Sequence, residues 1–422
     1  MRSELDTTTT KDRVIGILAS VAGTLAFAVL LTAMIIHKQN KDEILAETEM
    51  PSSEEIVSEE MMEKYDAEEL GFQVSASEEE PSEPQSEKPV PGEEIAPNTF
   101  WLPEKEVISF TFAGDILLDD TYAIMSNYRV QNEVLEECVD PILLAKMRAA
   151  DVCVVNNEFT YTESTKPISN KTFTFRAKPE NVEILKEMGV DTVSLANNHV
   201  YDFGEQGLLD TLDTLEDAGI SYTGAGRDID EASKIIYYCN DSMKVALVCA
   251  TQIERYEHPN TKGATEDSPG TFRCYESEAL LERIREADAN SDVTIAFLHW
   301  GTESTTDLDW RQTTQAKECA EAGADIIVGA HPHVIQGIGY EGEVPVFYSL
   351  GNYWFSSKNL DSALLTLEVN KDGVVNAQFL PCLTRNCRTL EATGTERERV
   401  LGLMRRLSPG VVIDENGYVS AE

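Results

Sequence analysis

Basic side chains are scarce in this chain: 34 Lys and Arg stand against 75 Asp and Glu, a formal net charge of −41 at pH 7. A surface that acidic repels nucleic acid and anionic lipid alike, so no nucleic-acid partner is expected and cations are the easier partner class. The eight cysteines include no CxxC or zinc-ribbon spacing, and Cys153 and Cys249 sit inside apolar runs where cysteine acts as a small hydrophobe. Only Cys382 and Cys387 are close enough in sequence for a local bridge, which would need an oxidising exterior. Histidine is rarer still. There are six, and four of them (His199, His299, His331 and His333) fall at the ends of apolar runs.

One long apolar run is present, Val14 to Ile36, 23 residues without a charge and long enough to cross a hydrocarbon core. No small-residue cleavage site follows it, so it reads as an uncleaved signal anchor. Arg2, Lys11 and Arg13 precede it and Lys38 and Lys41 follow, a bias toward residues 1–13 in the cytoplasm. The expectation is a single-pass protein of the cell membrane with an extracytoplasmic body. Residues 37–103 read as an acidic, Ser/Pro-rich disordered linker, with 19 Asp and Glu against 3 Lys between Lys41 and Phe100. The body is expected over 104–384, with a C-terminal extension at 385–422.

From Glu106 the pattern alternates between strand and helix. Strands are predicted near 107–113, 151–156, 191–196, 244–250, 293–299, 325–329 and 345–350. "PENVEILKEMG" opens on Pro179 and stops at Gly189, and "GEQGLLDTLDTLEDAG" stops at Gly219, as crossover helices do. This is an α/β pattern with a largely parallel core. After Gly351, "SALLTLEVNKDGVVNAQFLP" reads as a hairpin around Lys371-Asp372-Gly373 and adds antiparallel strands.

The polar residues at the strand ends carry the chemistry. Asp115 closes "ISFTFAGD", Asn156, Asn157 and Glu158 close "DVCVVNNE", Asn197, Asn198 and His199 close "TVSLANNH", His299 closes "VTIAFLH", and His331 and His333 follow "DIIVGA". Open α/β sheets keep ligands at the carboxyl ends of strands. Any one of these histidines, taken alone, reads more readily as a core residue satisfied by a single hydrogen bond. The set is different: carboxylate, amide oxygen and neutral imidazole together suit one or two divalent ions such as zinc, manganese or iron. Asp115, Glu158, Asn198, His299, His331 and His333 are the candidate ligands, and a two-metal site would need one bridging carboxylate, assigned to Glu158.

The succession "FAGDILL", "NNEF", "FTFRAKPE", "LANNHVYDFGEQGLLDTLDTLEDAGISYTGAG", "LHWGTE", "GADIIVGAHPHVIQGI" and "VPVFYSLGNYWF" resembles the bacterial capsule synthesis proteins of the CapA/PgsA type, associated with poly-γ-glutamate capsules. That family is similar to calcineurin-like metallophosphoesterases, which implies a four-layer α/β/β/α sandwich here. The resemblance also implies Asp115 as the first-strand ligand, Glu158 as the bridge, Asn198 with His299, His331 and His333 as further ligands, and His199 as an acid oriented by Asp202. The sequence departs from the phosphoesterase pattern at the first strand, where Asp115 is followed by Ile116 and Leu117 and one histidine ligand is lacking. One site is therefore expected to be weaker. Asp119 or Asp120 would compensate, or would cap the turn that follows.

Arg176 is a candidate to grip a carboxylate or phosphate, against the alternative of a surface ion pair. Asn156, Trp300 and Tyr353 border the site as candidate substrate contacts or as packing. The implied function is a membrane-anchored accessory protein in making, exporting or anchoring an anionic capsule polymer, working with a polymer synthase and carrying a metal-dependent hydrolase-like or transferase-like centre for an ester or amide. The alternatives are a general extracytoplasmic metallophosphoesterase and a non-catalytic scaffold for a synthase.

Overall fold

The computed structural model describes residues 89–169, 171–253 and 262–422. The expected span Val14–Ile36 and the stalk as far as residue 88 lie outside the described residues. Among the described residues, no helix is long and apolar enough to cross a membrane.

Two eight-stranded sheets form the body. In the first, Ile108–Ile116 runs parallel to Val152–Asn157, which is followed outward by the parallel strands Thr192–Ser194 and Ser221–Thr223. On its other side Ile108–Ile116 pairs antiparallel with Leu360–Asn370, then come Gly373–Arg385 and Arg388–Glu391. In the second sheet Lys244–Thr251, Val293–His299, Ile326–Ala330 and Val344–Phe347 are parallel neighbours. The hairpin turns at Lys371-Asp372, as the sequence predicts, with Asn370 opposite Gly373.

Period-two alternation sorts these strands into layers. Phe110, Phe112, Val152 and Val154 of the first sheet meet Val245, Leu247, Ile295, Phe297 and Val328 of the second in one buried core, with Phe112 edge-on to Phe297 at 5.5 Å. The alternate residues face outward onto helices. Cys153 and Val155 pack with Leu143, Leu185 and Leu212 from the helices Pro141–Ala149, Val182–Met188 and Gly204–Ala218. Ala296 and Leu298 pack with Leu280, Ile284 and Cys319 from Glu278–Asn290 and Trp310–Glu321. The order is therefore helices, sheet, sheet, helices. Gly189 and Gly219 end two of these helices at φ +82° and +73°, the left-handed cap that glycine adopts without strain.

Two boundaries differ from the sequence expectation. Residues assigned to the linker form strands Glu94–Ala96 and Thr99–Trp101, the latter parallel to Ile236–Cys239, so the folded body begins before residue 103. A strand of three residues carries too little apolar pattern to stand out from an acidic stretch. The expected extension is also part of the body: Arg388–Glu391 lengthens the first sheet, and the helix Gly394–Leu407 contributes Val400, Leu401 and Met404 to the core between the sheets.

The chain crosses from one sheet to the other between Phe347 and Asn352, the start of Asn352–Trp354, which pairs with Ile108–Ile116. Leu350 N–H donates to Gly329 O at 3.3 Å on one side, and Gly351 O accepts from Asp115 N–H at 3.1 Å on the other. A Cβ at Gly329 would stand 2.1 Å from Tyr348 O, and one at Gly114 would stand 1.9 Å from Gly351 O, so both positions need glycine. Cys382 and Cys387 are both free thiols. Cys382 is buried within its strand opposite Glu391, while Cys387 occupies the left-handed turn beyond it (φ +61°), so the local bridge that their closeness in sequence allows is not formed.

Candidate metal centre

The first strand reaches the site through a bulge. Ala113 lies opposite Val155, but Asp115 lies opposite Asn156, so Gly114 is an extra residue in Ile108–Ile116. In a regular strand without this bulge, Asp115 would share the helix-facing side of Ala113. With it, Asp115 aligns with Asn156 toward the second sheet.

Asn156 then acts as a hub. Its Nδ2 donates to Asp115 Oδ1 at 2.8 Å and Glu158 Oε2 at 3.1 Å and lies 3.3 Å from His299 Nδ1, while its Oδ1 accepts from Asn197 Nδ2 at 3.1 Å. Asn156 is fully buried and committed to these partners, so its role here is to orient the proposed ligands. His299 Nε2 is 2.8 Å from Asn198 Oδ1. His333 Nδ1 lies 3.1 Å from Asp115 Oδ2 and 2.9 Å from Asn352 Oδ1, two acceptors that place the proton on Nδ1.

Glu158 sits at the focus. Its Oε1 is 3.9 Å from the Nε2 atoms of His199, His299 and His333 alike. That oxygen and His331 Nδ1 are both buried without a hydrogen-bond partner. Orphaned buried acceptors are costly, and here they belong to converging donors. The ligand atoms of Glu158, His299 and His331 lie within 4.8 Å of one another, as do those of Asp115, Glu158 and His333. Two carboxylates, three imidazoles and an amide oxygen in this arrangement fit a divalent metal ion.

The histidine turn is strained. His331 has φ +98° and His333 φ +60°, where a non-glycine side chain costs on the order of 1–3 kcal/mol. Hydrogen bonds hold the turn there: His331 N–H donates to Asp115 Oδ1 at 3.3 Å and Ser304 N–H donates to Pro332 O at 2.8 Å.

Protonation follows from burial and neighbours. Burial, then the adjacent Asp115 charge, pushes the Glu158 carboxyl well above its usual range. Burial and the surrounding histidines push His299 well down and His331 down to about 3, so both imidazoles are neutral, as ligands must be. For Asp115, burial opposes ionisation, but the His333 hydrogen bond and charge outweigh it and the carboxyl is held low. His333 moves up for the reciprocal reason, its burial being outweighed by Asp115.

His199 stands beside this set. Its Nδ1 is 2.7 Å from Asp202 Oδ2, which also accepts from Phe175 N–H at 2.7 Å, while Asp202 Oδ1 pairs with Lys171. The Phe175 ring stacks on the imidazole at 4.1 Å. Burial holds His199 below its usual range despite Asp202, so the ring is neutral with its proton on Nδ1. The resemblance implies an acid at His199; in this state Nε2 carries a lone pair and must gain a proton before donating one.

The softer candidates lie elsewhere. Trp300 shares the parity of Ala296 and Leu298, so it is buried on the helix side, where its Nε1 donates to Tyr348 O at 2.9 Å. Tyr353 is buried with its hydroxyl on Met147 Sδ. Arg176 donates to the carbonyls of Glu163 and Ser164 and lies over the Phe203 ring, so it braces a loop. Asp119 accepts from Thr121 N–H and Arg176 N–H, and Asp120 accepts from Lys178 N–H: both cap turns. Sequence reasoning missed the side-chain roles of Lys171, Phe175 and Asn352. Lys171 lies in a polar loop with no period to mark it, whereas Asn352 lies inside the quoted "GNYWF".

With that geometry described, the chain can be compared with known proteins. Residues 109–357 match the model of the family described as bacterial capsule synthesis protein PGA_cap. The chain is 31% identical over 284 residues to the PGA biosynthesis protein CapA of Bacillus subtilis, covering 65% of this chain and 71% of that one. It is 30% identical to the capsule biosynthesis protein CapA of Bacillus anthracis, covering 66% and 68%. A probable polyglutamine synthesis accessory protein of Mycobacterium tuberculosis is 26% identical, covering 62% and 73%. Among solved structures, a Mycoplasma pneumoniae phosphatase aligns at TM-score 0.41 and 14% identity over 66% of this chain and 94% of its own.

Proposed function

The chain belongs to the bacterial capsule synthesis protein family, and from that premise we propose that it is an accessory protein of anionic capsule polymer synthesis whose metal centre performs hydrolysis or group transfer on a phosphate ester or an amide. The observation that carries the chemical half is the pair of orphaned atoms, Glu158 Oε1 and His331 Nδ1, inside a converging donor set. Asp115, Glu158, Asn198, His299, His331 and His333 are the residues proposed to hold the ion. A divalent ion there supplies Lewis acidity toward a phosphoryl or carbonyl oxygen.

The remaining steps belong to the protein. Asp202, fixed by Lys171 and Phe175 N–H, holds the Nδ1 proton of His199 and leaves Nε2 to take or give a proton at the site. Phe175 covers one face of that ring and keeps water from it. The anchor at Val14–Ile36, the stalk and an extracytoplasmic body belong to the same proposal, with a polymer synthase as the partner.

The experiment is complementation. A strain lacking this protein is supplied with wild type, His331→Ala or His199→Ala at equal protein level, and surface polymer is measured. The purified full chain is screened in parallel for ester and amide hydrolysis. Loss of polymer with either variant, together with metal-dependent turnover, is expected. Normal polymer with His199→Ala and no turnover by wild type would instead assign a scaffold role. Turnover with no polymer defect on deletion would assign a general phosphoesterase.

A further inference from the structure

Glu303 lies in the loop between Val293–His299 and the helix Trp310–Glu321. Its side chain is exposed, and an exposed acid is ordinarily a solvated charge. This one has particular neighbours: a carboxylate oxygen lies within 4.8 Å of ring nitrogens of both His331 and His333. The backbone keeps it there. Trp300 N–H donates to Ala330 O at 3.1 Å and Ser304 N–H to Pro332 O at 2.8 Å, so the loop is pinned to the turn that carries the two histidines, while Gly301 N–H donates to Gln252 Oε1 at 3.0 Å at the end of the neighbouring strand Lys244–Thr251. His331 is 3% exposed and its Nδ1 has no hydrogen-bond partner. On the opposite side, Leu117, two residues after Asp115, is buried among the helix-facing core residues, so the first strand contributes no second ligand.

We propose that Glu303 is itself a ligand of the metal centre, entering from the second sheet and, with His331 and His333, supplying the coordination that the first strand leaves short. A carboxylate suits this position. It adds a hard oxygen donor and a negative charge beside neutral imidazoles, and its surface placement gives the ion a route of entry and exit.

This inference rests on the metal-binding reading above, and the test separates the two. The full chain, stripped with chelator, is titrated with Mn²⁺ or Zn²⁺ by calorimetry, and bound metal is counted by elemental analysis after dialysis. Glu303→Gln is compared with wild type and with Glu282→Gln, which removes an equal charge from the exposed face of Glu278–Asn290. The expected result is a loss of about tenfold or more in affinity for one ion in Glu303→Gln alone. Unfolding of the stripped protein should stay unchanged, since the side chain is exposed. Equal affinity and stoichiometry in Glu303→Gln and wild type overturn the ligand role while leaving the metal centre standing. A wild type that binds no ion overturns both.

Discussion

His333 Nδ1 and Asp115 Oδ2 meet at 3.1 Å, joining the turn after a strand of the second sheet to the bulge in a strand of the first. The pair both orients a proposed ligand and bonds the two sheets at the mouth of the site. Asp115→Asn should therefore weaken metal binding and also lower stability, because His333 loses the carboxylate that holds its Nδ1–H in place. Calorimetric titration with Mn²⁺ and a denaturant melt of the stripped protein measure the two effects, and a variant that shifts neither contradicts the assignment.

Glu158→Gln should move stability in opposite directions with and without metal. In the stripped protein the Glu158 carboxyl is held well above its unfolded range, so its folded form binds the proton more tightly. Its stabilising contribution is present below the unfolded pKa and is lost as pH rises through the raised folded value. The stripped wild type should thus fall behind Glu158→Gln from pH 5 toward pH 9, by about 1 to 3 kcal/mol at the alkaline end. Saturating metal should reverse the order, and thermal melts across that range read both.

His199→Ala should leave metal content and melting temperature near wild type and reduce turnover by about 10²- to 10⁴-fold, the usual weight of a positioned proton-transfer group. His331→Ala should reduce bound metal itself. Elemental analysis alongside single-turnover rates distinguishes the two, and equal metal loss in both variants would move His199 into the ligand set.

Gly114→Ala should be among the most damaging small substitutions in the body. The added methyl would stand 1.9 Å from Gly351 O, which accepts the Asp115 N–H. A loss of about 3 kcal/mol or more is expected, through the strand register that aims Asp115. Chemical unfolding of the soluble fraction measures it, and a wild-type midpoint would mean that the crossing segment yields easily.

Topology has its own test. With residues 1–13 inside and Val14–Ile36 as the span, protease added to intact cells should degrade the body. A protected body would place it in the cytoplasm.

Much of the fold was legible because its strands carry long apolar runs. Val293–His299 has the predicted bounds, and Ile326–Ala330 and Val152–Asn157 fall within a residue of theirs. The short strands Glu94–Ala96, Thr99–Trp101 and Ile338–Glu341 were not, since three or four residues at or beside a sheet edge bury too little to leave a pattern. At the site, polar residues closing apolar runs marked the positions that come together. Which face each residue takes was harder: Trp300 follows His299 directly and points away from it by alternation alone, while Asp115 faces the site only through a bulge that no period reveals. Lys171 and Glu303 reach the cluster from loops, where sequence spacing carries no geometric information.

The crossing from Phe347 to Asn352 gives the centre a fixed gauge. Four residues, at most about 14 Å of extended chain, tether the strand beside His331 and His333 to the strand beside Asp115, and glycines at 114 and 329 let that tether lie flush against both. The tether limits how far the two strands can separate, so the proposed ion would be accommodated chiefly by side-chain rotation. In the proposed centre, a length of backbone that supplies no ligand of its own would thus constrain which divalent ions fit.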